Sequence, residues 1–498
     1  MDRLRKKPAP LLKSQPAFTH RSYYINLLEH VQNNWNVNLI YPEAPNQWTT
    51  SGWRAFLTMI KAFGYTCFEY SLPPSLFDRP ALQGGGKYAR FSRTMNEVTG
   101  MAHELGLKTV CQFCCNAVGP RWHYLCPNIP KDREEIRMLY RHWMRELKGT
   151  DIAYIHPGDI GGCNLNGCTH ETFVDLSLEI TEIIKRESPS TCVQVGTWGN
   201  PFCGWGSDAD NLPGWDCSWL TLIEQGYYEK YGNRDFHGTP ERAKAAMEYF
   251  INRLPQFPED TMVAINWHFN DGGDAKVYVR EIAKIRSIVS WQYYATEGEG
   301  WVHPCWRLPI IAYVRQRDRK SGPYIGGLCY TMSPRLNLLN MYAGARYFID
   351  PDADPVAISC EFCGHVFGKE YAIIGELFKA FEQPPDLVYD KEKPLNDKMA
   401  WRAKFKQMID CLQNAHTSQC DLPLIVDPET YRKDLLWFAQ RYYEMTGSNP
   451  DRKRIQREYW TKTYAIYDKI PYSALVPNMG NVNAISAAKK FSELFTDC

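Results

Sequence analysis

Strand-length runs of apolar, β-branched or aromatic residues alternate with helix-length amphipathic runs along most of the chain. That is the pattern of βα units around a parallel sheet. The pattern predicts strands over 37–41, 65–71, 108–117, 151–156, 191–196, 262–267, 288–296 and 324–330. It predicts helices over 51–63, 94–105, 132–147, 171–186, 240–254, 275–286, 306–319 and 335–347. Gly64, Gly106 and Gly149 stand where a helix needs a left-handed cap before the next strand. Eight such units make the α/β fold of a (β/α)8 TIM barrel. An open doubly wound sheet is the alternative. No GxGxxG follows the first strand and no P-loop is present, so its usual nucleotide chemistry has no support, and Gly84-Gly85-Gly86 reads as a turn. From residue 350 the rhythm becomes helix alone, over 354–367, 370–381, 397–416, 430–445 and 454–470. The expected division is an N-terminal extension over 1–34, a catalytic barrel over 35–350 and an all-helical C-terminal region over 351–498.

Composition narrows the class. Of 498 residues, 44% are hydrophobic and 23% charged, which excludes disordered and fibrous chains. A net charge of +1 argues against nucleic acid or an acidic membrane as the main partner, since both call for a basic field. No apolar run approaches the length of a membrane span, and the basic N-terminus lacks the apolar core of a secretory signal, so the expectation is a cytoplasmic protein. The oligomeric state is left open, a homo-oligomer included. In that setting the 17 cysteines are expected to be reduced. Three clusters could hold zinc: Cys111, Cys114 and Cys115; Cys163 and Cys168 with His170; Cys360 and Cys363 with His365. None has the intact spacing of a structural zinc site, and buried thiols acting as small hydrophobes are the simpler reading. No metal is assigned.

In such a barrel the chemistry comes from the C-terminal ends of the strands and the loops after them. Strand two delivers Glu69 and Tyr70; strand three delivers Gln112, Asn116, Arg121, Trp122 and His123. Strand four delivers His156 and Asp159; strand five Trp198, Trp205, Asp208 and Asp210; strand six Trp267, His268, Asn270 and Asp271. Strand seven delivers Glu297, Glu299, Trp301 and His303, and strand eight Tyr330. Asp159 and the pair Glu297 and Glu299 are flanked by glycines, which let a backbone turn sharply and approach a ligand. Trp122, Trp198, Trp205, Trp267, Trp301, Trp306 and Tyr330 crowd the same rim. Flat rings stack on the C–H face of a pyranose while acids, amides and imidazoles take its hydroxyls, so the rim reads as a carbohydrate cleft. Each residue has a simpler reading as well. Asp159 could cap its own turn, the glutamates could be a solvated pair or hold His303, His156 and His268 could be packing residues, and Trp198 and Trp267 could plug the barrel. Trp53 and Trp143, at helical spacing among apolar neighbours, are core.

Three segments carry a family resemblance: MAHELGLKTVCQF (101–113), YIHPGDIGGCNLNGC (154–168) and NLLNMYAGARYFIDPDADP (337–355). Over residues 35–370 the chain resembles the barrel glycoside hydrolases that include the α-glucuronidases and β-hexosaminidases. The resemblance implies Asp159 at the acid-loop position and Glu297 or Glu299 as the strand-seven carboxylate. The tandem acidic pair of the hexosaminidases is missing, since Ile160 follows Asp159. Glycoside hydrolysis needs two carboxyl groups flanking the scissile bond, and no cofactor. The expectation is therefore a glycosidase, exo-acting on a small oligosaccharide, with Asp159, Glu297 and Glu299 catalytic. Glu69, Asn116, His156, Trp198, Trp205, Trp267, His268, Asp271, Trp301 and Tyr330 are expected to bind the substrate. A metal-dependent barrel lyase, isomerase or hydrolase using His156, Asp159, His268 and Glu299 is one rival reading. A non-catalytic carbohydrate-binding barrel is the other.

Overall fold

The computed structural model describes residues 15–25, 49–72, 87–118, 123–157, 166–197, 240–265, 275–291, 304–331, 336–382 and 398–468. Eight parallel strands close into a barrel: β1 (His20–Ile25), β2 (Cys67–Ser71), β3 (Lys108–Cys114), β6 (Ile152–His156), β7 (Cys192–Gly196), β8 (Met262–Ile265), β9 (Ser287–Ser290) and β10 (Tyr324–Tyr330). The ring runs β1-β10-β9-β8-β7-β6-β3-β2, and β2 returns to β1 through Tyr24 opposite Glu69. A two-stranded hairpin, β4 (Ala117–Val118) and β5 (His123–Tyr124), follows β3. The eightfold barrel expected from the hydrophobic rhythm is the fold of the chain.

One strand is corrected. The first strand of the ring is His20–Ile25, within the segment read as an N-terminal extension. The 37–41 segment lies outside the described residues. Strand β3 stops at Cys114 and β9 at Ser290, both short of the expected ends at 117 and 296.

Barrel helices follow the strands: α1 (Thr50–Phe63), α2 (Lys87–Glu104), α3 (Pro130–Glu146), α4 (His170–Glu187), α5 (Pro240–Arg253), α6 (Ala275–Ile285), α7 (Leu308–Ser321) and α8 (Leu338–Ile349). Their ends follow local chemistry. Thr49 caps α1 by accepting from the Gly52 amide, and Thr169 with Thr172 forms a capping box on α4. Gly64, Gly106 and Gly149 adopt φ of +111°, +67° and +81°, the left-handed turn needed to re-enter the sheet. On α1, Trp53, Phe56, Leu57, Ile60 and Phe63 form the buried stripe, and Trp143 of α3 stacks on Phe113 of β3 at 4.9 Å. Both tryptophans assigned to the core are there.

The C-terminal part is helical, as expected: α9 (Pro355–Phe367), a run of short helical turns over 369–381 that includes α10 (Ile374–Leu377), then α11 (Lys398–Asn414), α12 (Pro428–Met445) and α13 (Arg452–Asp468). The single helix expected over 370–381 is instead three short helical turns, Lys369–Tyr371, Ile374–Leu377 and Phe378–Phe381, and Gly375 in the middle one packs against the backbone of α9. A Cβ there would fall 2.3 Å from the Cys360 nitrogen. One apolar core joins these helices to the outer wall of the barrel, with Phe362, Phe381, Phe405 and Tyr442 in the same cluster as Leu339 and Phe348. No helix among the described residues is long and apolar enough to cross a membrane.

Candidate active site at the mouth of the barrel

Side chains alternate across the wall of a strand, so every second residue faces the lumen. The lumen holds its own apolar cluster, separate from the outer core: Tyr24, Cys67, Val110, Ile152, Tyr154, Met262, Ala264, Val289, Trp291, Leu328 and Tyr330. Its upper part centres on Trp291, the residue after β9. The Trp291 amide continues the ladder by donating to the Ile265 carbonyl at 2.9 Å. The indole lies 5.8 Å from Tyr24, 5.8 Å from Tyr154 and 4.9 Å from His156, measured between ring centroids. Tyr330 packs on Tyr24 at 5.3 Å. The ends of strands four (β6) and seven (β9) therefore face each other across the lumen through His156 and Trp291.

Glu69 is the one acid in this layer among the described residues. It accepts from Trp291 Nε1 at 2.9 Å through Oε1 and from Ser22 Oγ at 2.9 Å through Oε2. It is 1% exposed. Burial pushes its carboxyl up to about 7, partly offset by the donors Trp291 and Ser22, which favour the charged form. A carboxyl poised there can hold or release a proton at neutral pH. Burial pushes His156 the other way, down to about 3, so its imidazole is neutral at pH 7.

A stability prediction follows from Glu69. Its unfolded form ionises near 4.5 and its folded form near 7. Below about pH 4.5 neither state is charged and burial carries no penalty. Between those values only the unfolded chain ionises, so stability falls as pH rises, by roughly 3 kcal/mol in all. Glu69→Gln keeps an acceptor for the indole and removes the charge. Urea unfolding should show the variant more stable than the parent at pH 8 and matched to it near pH 4.5. Parallel pH curves for the two proteins would refute this.

The other expected site residues divide sharply. Asn116 is buried and donates from Nδ2 to the Leu125 carbonyl at 2.7 Å, so it staples the hairpin loop after β3. Tyr330 and His156 face the lumen as described, and Glu69 joins them through Trp291. Asp159, Glu297, Glu299, Trp198, Trp205, Trp267, His268, Asp271 and Trp301 lie outside the described residues. Trp306 is corrected: its indole donates to Ser359 Oγ at 3.0 Å, which places it between barrel and helical region rather than on the rim. The sequence reading missed Trp291, Tyr24, Ser22 and Tyr154. Trp291 was hidden inside a run read as strand to residue 296. The alternation Val289, Ser290, Trp291 was the signal that could have found it.

Among the cysteines, Cys111, Cys114 and Cys115 are buried in and after β3, and Cys126 meets Cys168 at 3.6 Å between sulfurs. Burial pushes the Cys111 and Cys115 thiols well up, as for inert packing thiols. Among the described residues no group of three or more His, Cys, Asp or Glu is placed to hold a metal.

No protein-family model matches the sequence, and comparison with curated proteins finds no match. Solved structures do match in shape. A point mutant of the O-GlcNAc hydrolase of Thermobaculum terrenum aligns with a TM-score of 0.51 at 10% identity, over 96% of this chain and 94% of that one. The protein CpGH84B aligns with a TM-score of 0.50 at 10% identity, over 97% of this chain and 80% of that one. At such identity the likeness is one of overall fold.

Proposed function

We propose that the protein is a glycoside hydrolase, exo-acting on a small oligosaccharide or glycoside. One observation carries the reading: His156 and Trp291 meet at 4.9 Å, so the fourth and seventh strands end opposite each other across the mouth. Asp159 comes three residues after His156, and Glu297 and Glu299 come six and eight after Trp291. Glycoside hydrolysis calls for carboxyl groups on both sides of one bond, and these three follow the two facing strand ends in the sequence. Hydrolysis then has its two groups: one carboxyl protonates the leaving oxygen, and the other attacks the anomeric carbon or activates water. The aromatic floor of Trp291, Tyr24, Tyr154 and Tyr330 supports the same reading, as does the fold shared with a hydrolase of O-GlcNAc. Neither step needs a cofactor.

The test is an aryl-glycoside panel with the parent protein, Asp159→Asn, Glu297→Gln and Glu299→Gln. At least one glycoside should be turned over. Asp159→Asn and one of the two glutamate variants should lose about a hundredfold to ten-thousandfold in kcat, the range of a lost acid or base. If the parent cleaves nothing, or if all three variants match it, the protein is not a glycosidase of this kind.

A further inference from the structure

Three lumen-facing polar side chains stand in one row beneath the mouth. Gln112 on β3 is the register partner of Tyr154 on β6, and Tyr154 is the partner of Gln194 on β7. Register partners share a face of the sheet, and Tyr154 belongs to the lumen cluster, so all three point inward. They are 2%, 0% and 1% exposed. Yet Gln112 Oε1, the Tyr154 hydroxyl and Gln194 Oε1 have no hydrogen-bond partner among the described residues. About nine in ten or more buried polar groups are satisfied, and each one left bare costs about 1–3 kcal/mol. Three bare atoms on adjacent strands are a cost that Leu or Phe at the same positions would avoid. Room for the hydroxyl is also provided. Gly196, on the strand beside Tyr154, has no side chain, and a Cβ there would fall 2.6 Å from the Tyr154 oxygen and 3.0 Å from Pro157 Cδ. The hydroxyl thus sits at the strand ends, beside Pro157, which comes two residues before Asp159 in the chain.

We propose that Gln112, Tyr154 and Gln194 form a hydroxyl-recognition subsite in the floor of the barrel mouth, taking two neighbouring O–H groups of a neutral sugar. Two amide oxygens want donors, and a phenol both gives and takes a hydrogen bond. Two neighbouring sugar hydroxyls donate one hydrogen bond to each amide oxygen and accept one from the phenol, so the pair complements the set, whereas an apolar group does not. The proposal rests on the glycosidase reading for its substrate class but not for its test.

The full-length protein, Gln112→Met, Gln194→Met and Tyr154→Phe are compared by thermal unfolding with and without glucose, galactose, N-acetylglucosamine or xylose, and by kcat and KM on any aryl glycoside cleaved. Tyr347→Phe is the control, since the Tyr347 hydroxyl is also buried and bare but lies on α8 in the outer core. Tyr154→Phe removes a single oxygen and decides the matter if either glutamine variant misfolds. A sugar should raise the parent's midpoint, and the three variants should lose most of that rise while keeping or exceeding the parent's midpoint without sugar. KM should rise about threefold to tenfold, the worth of one uncharged hydrogen bond, with kcat changed less. A subsite that holds only water gives the opposite result: lower midpoints without sugar, and an unchanged sugar response or KM. That result overturns the proposal, as does Tyr347→Phe behaving like Tyr154→Phe, or a parent that neither binds a sugar nor cleaves a glycoside. Sugar binding lost in the variants of a protein that cleaves nothing would uphold this subsite and sink the glycosidase reading. Turnover with KM unmoved would do the reverse.

Discussion

Gly326→Ala should abolish the native fold. Gly326 lies in β10 opposite His20 of β1 and beside an irregular register with β9. A Cβ at this position would fall 1.6 Å from the His20 carbonyl oxygen, 2.5 Å from its carbon and 2.9 Å from its Cα. Those are backbone atoms of the strand that completes the ring, so no rotamer change relieves the contact. Either β1 moves out of register or β10 leaves the wall, and both open the barrel. The cost belongs with the exceptional substitutions of more than about 4–5 kcal/mol, against a total stability of about 5–15 kcal/mol. The measurement is soluble yield and cooperative thermal unfolding followed by circular dichroism. Gly100→Ala is the matched control: it sits inside α2 with nothing within 4 Å of the added methyl. It should gain up to about 1 kcal/mol, the helix preference for alanine over glycine. A Gly326→Ala protein that unfolds at the parent's midpoint would mean the β1–β10 seam is not built as described.

Trp291→Ala should be the most damaging change within the lumen. It removes an indole packed on Tyr24, Tyr154 and His156, and it takes away one of the two donors to Glu69. A buried Trp→Ala costs about 3–5 kcal/mol through lost contacts and the cavity left behind. The buried carboxyl losing a partner adds to that. Trp291→Phe, which keeps a ring and drops the N–H, should recover most of the packing and none of the bond to Glu69. The two variants together separate packing from hydrogen bonding in urea unfolding at pH 8. Equal losses in both would assign the whole effect to the Glu69 bond, and a loss under about 1 kcal/mol in Trp291→Ala would contradict the burial of the ring.

How far the sequence could be read is clear from particular elements. Seven of the eight barrel strands and the helices between them were legible, because strand and helix periods and glycine stops are local signals. The exception was β1. HRSYYI carries His, Arg and Ser among its tyrosines, so its apolar signal is weaker than that of VNLIY at 37–41. Burial of Ser22 becomes reasonable only once Glu69 stands beside it. Among the site residues, the strand-end rule pointed to Glu69, His156 and Tyr330. It passed over Trp291, because where a strand stops is set by its neighbours in the ring and not by its own composition.

Taken by itself, the order of apolar and polar residues determined the eightfold alternation, the helical C-terminal part and the strand ends where chemistry can sit, since each depends on residues a few positions apart. Which strand completes the ring, which side chains share the lumen, and the pairing of Glu69 with Trp291 from 222 positions away were decided only by the closed barrel. Shear between neighbouring strands sets which inward residues reach the same level, and no stretch of sequence short enough to carry its own pattern contains that information.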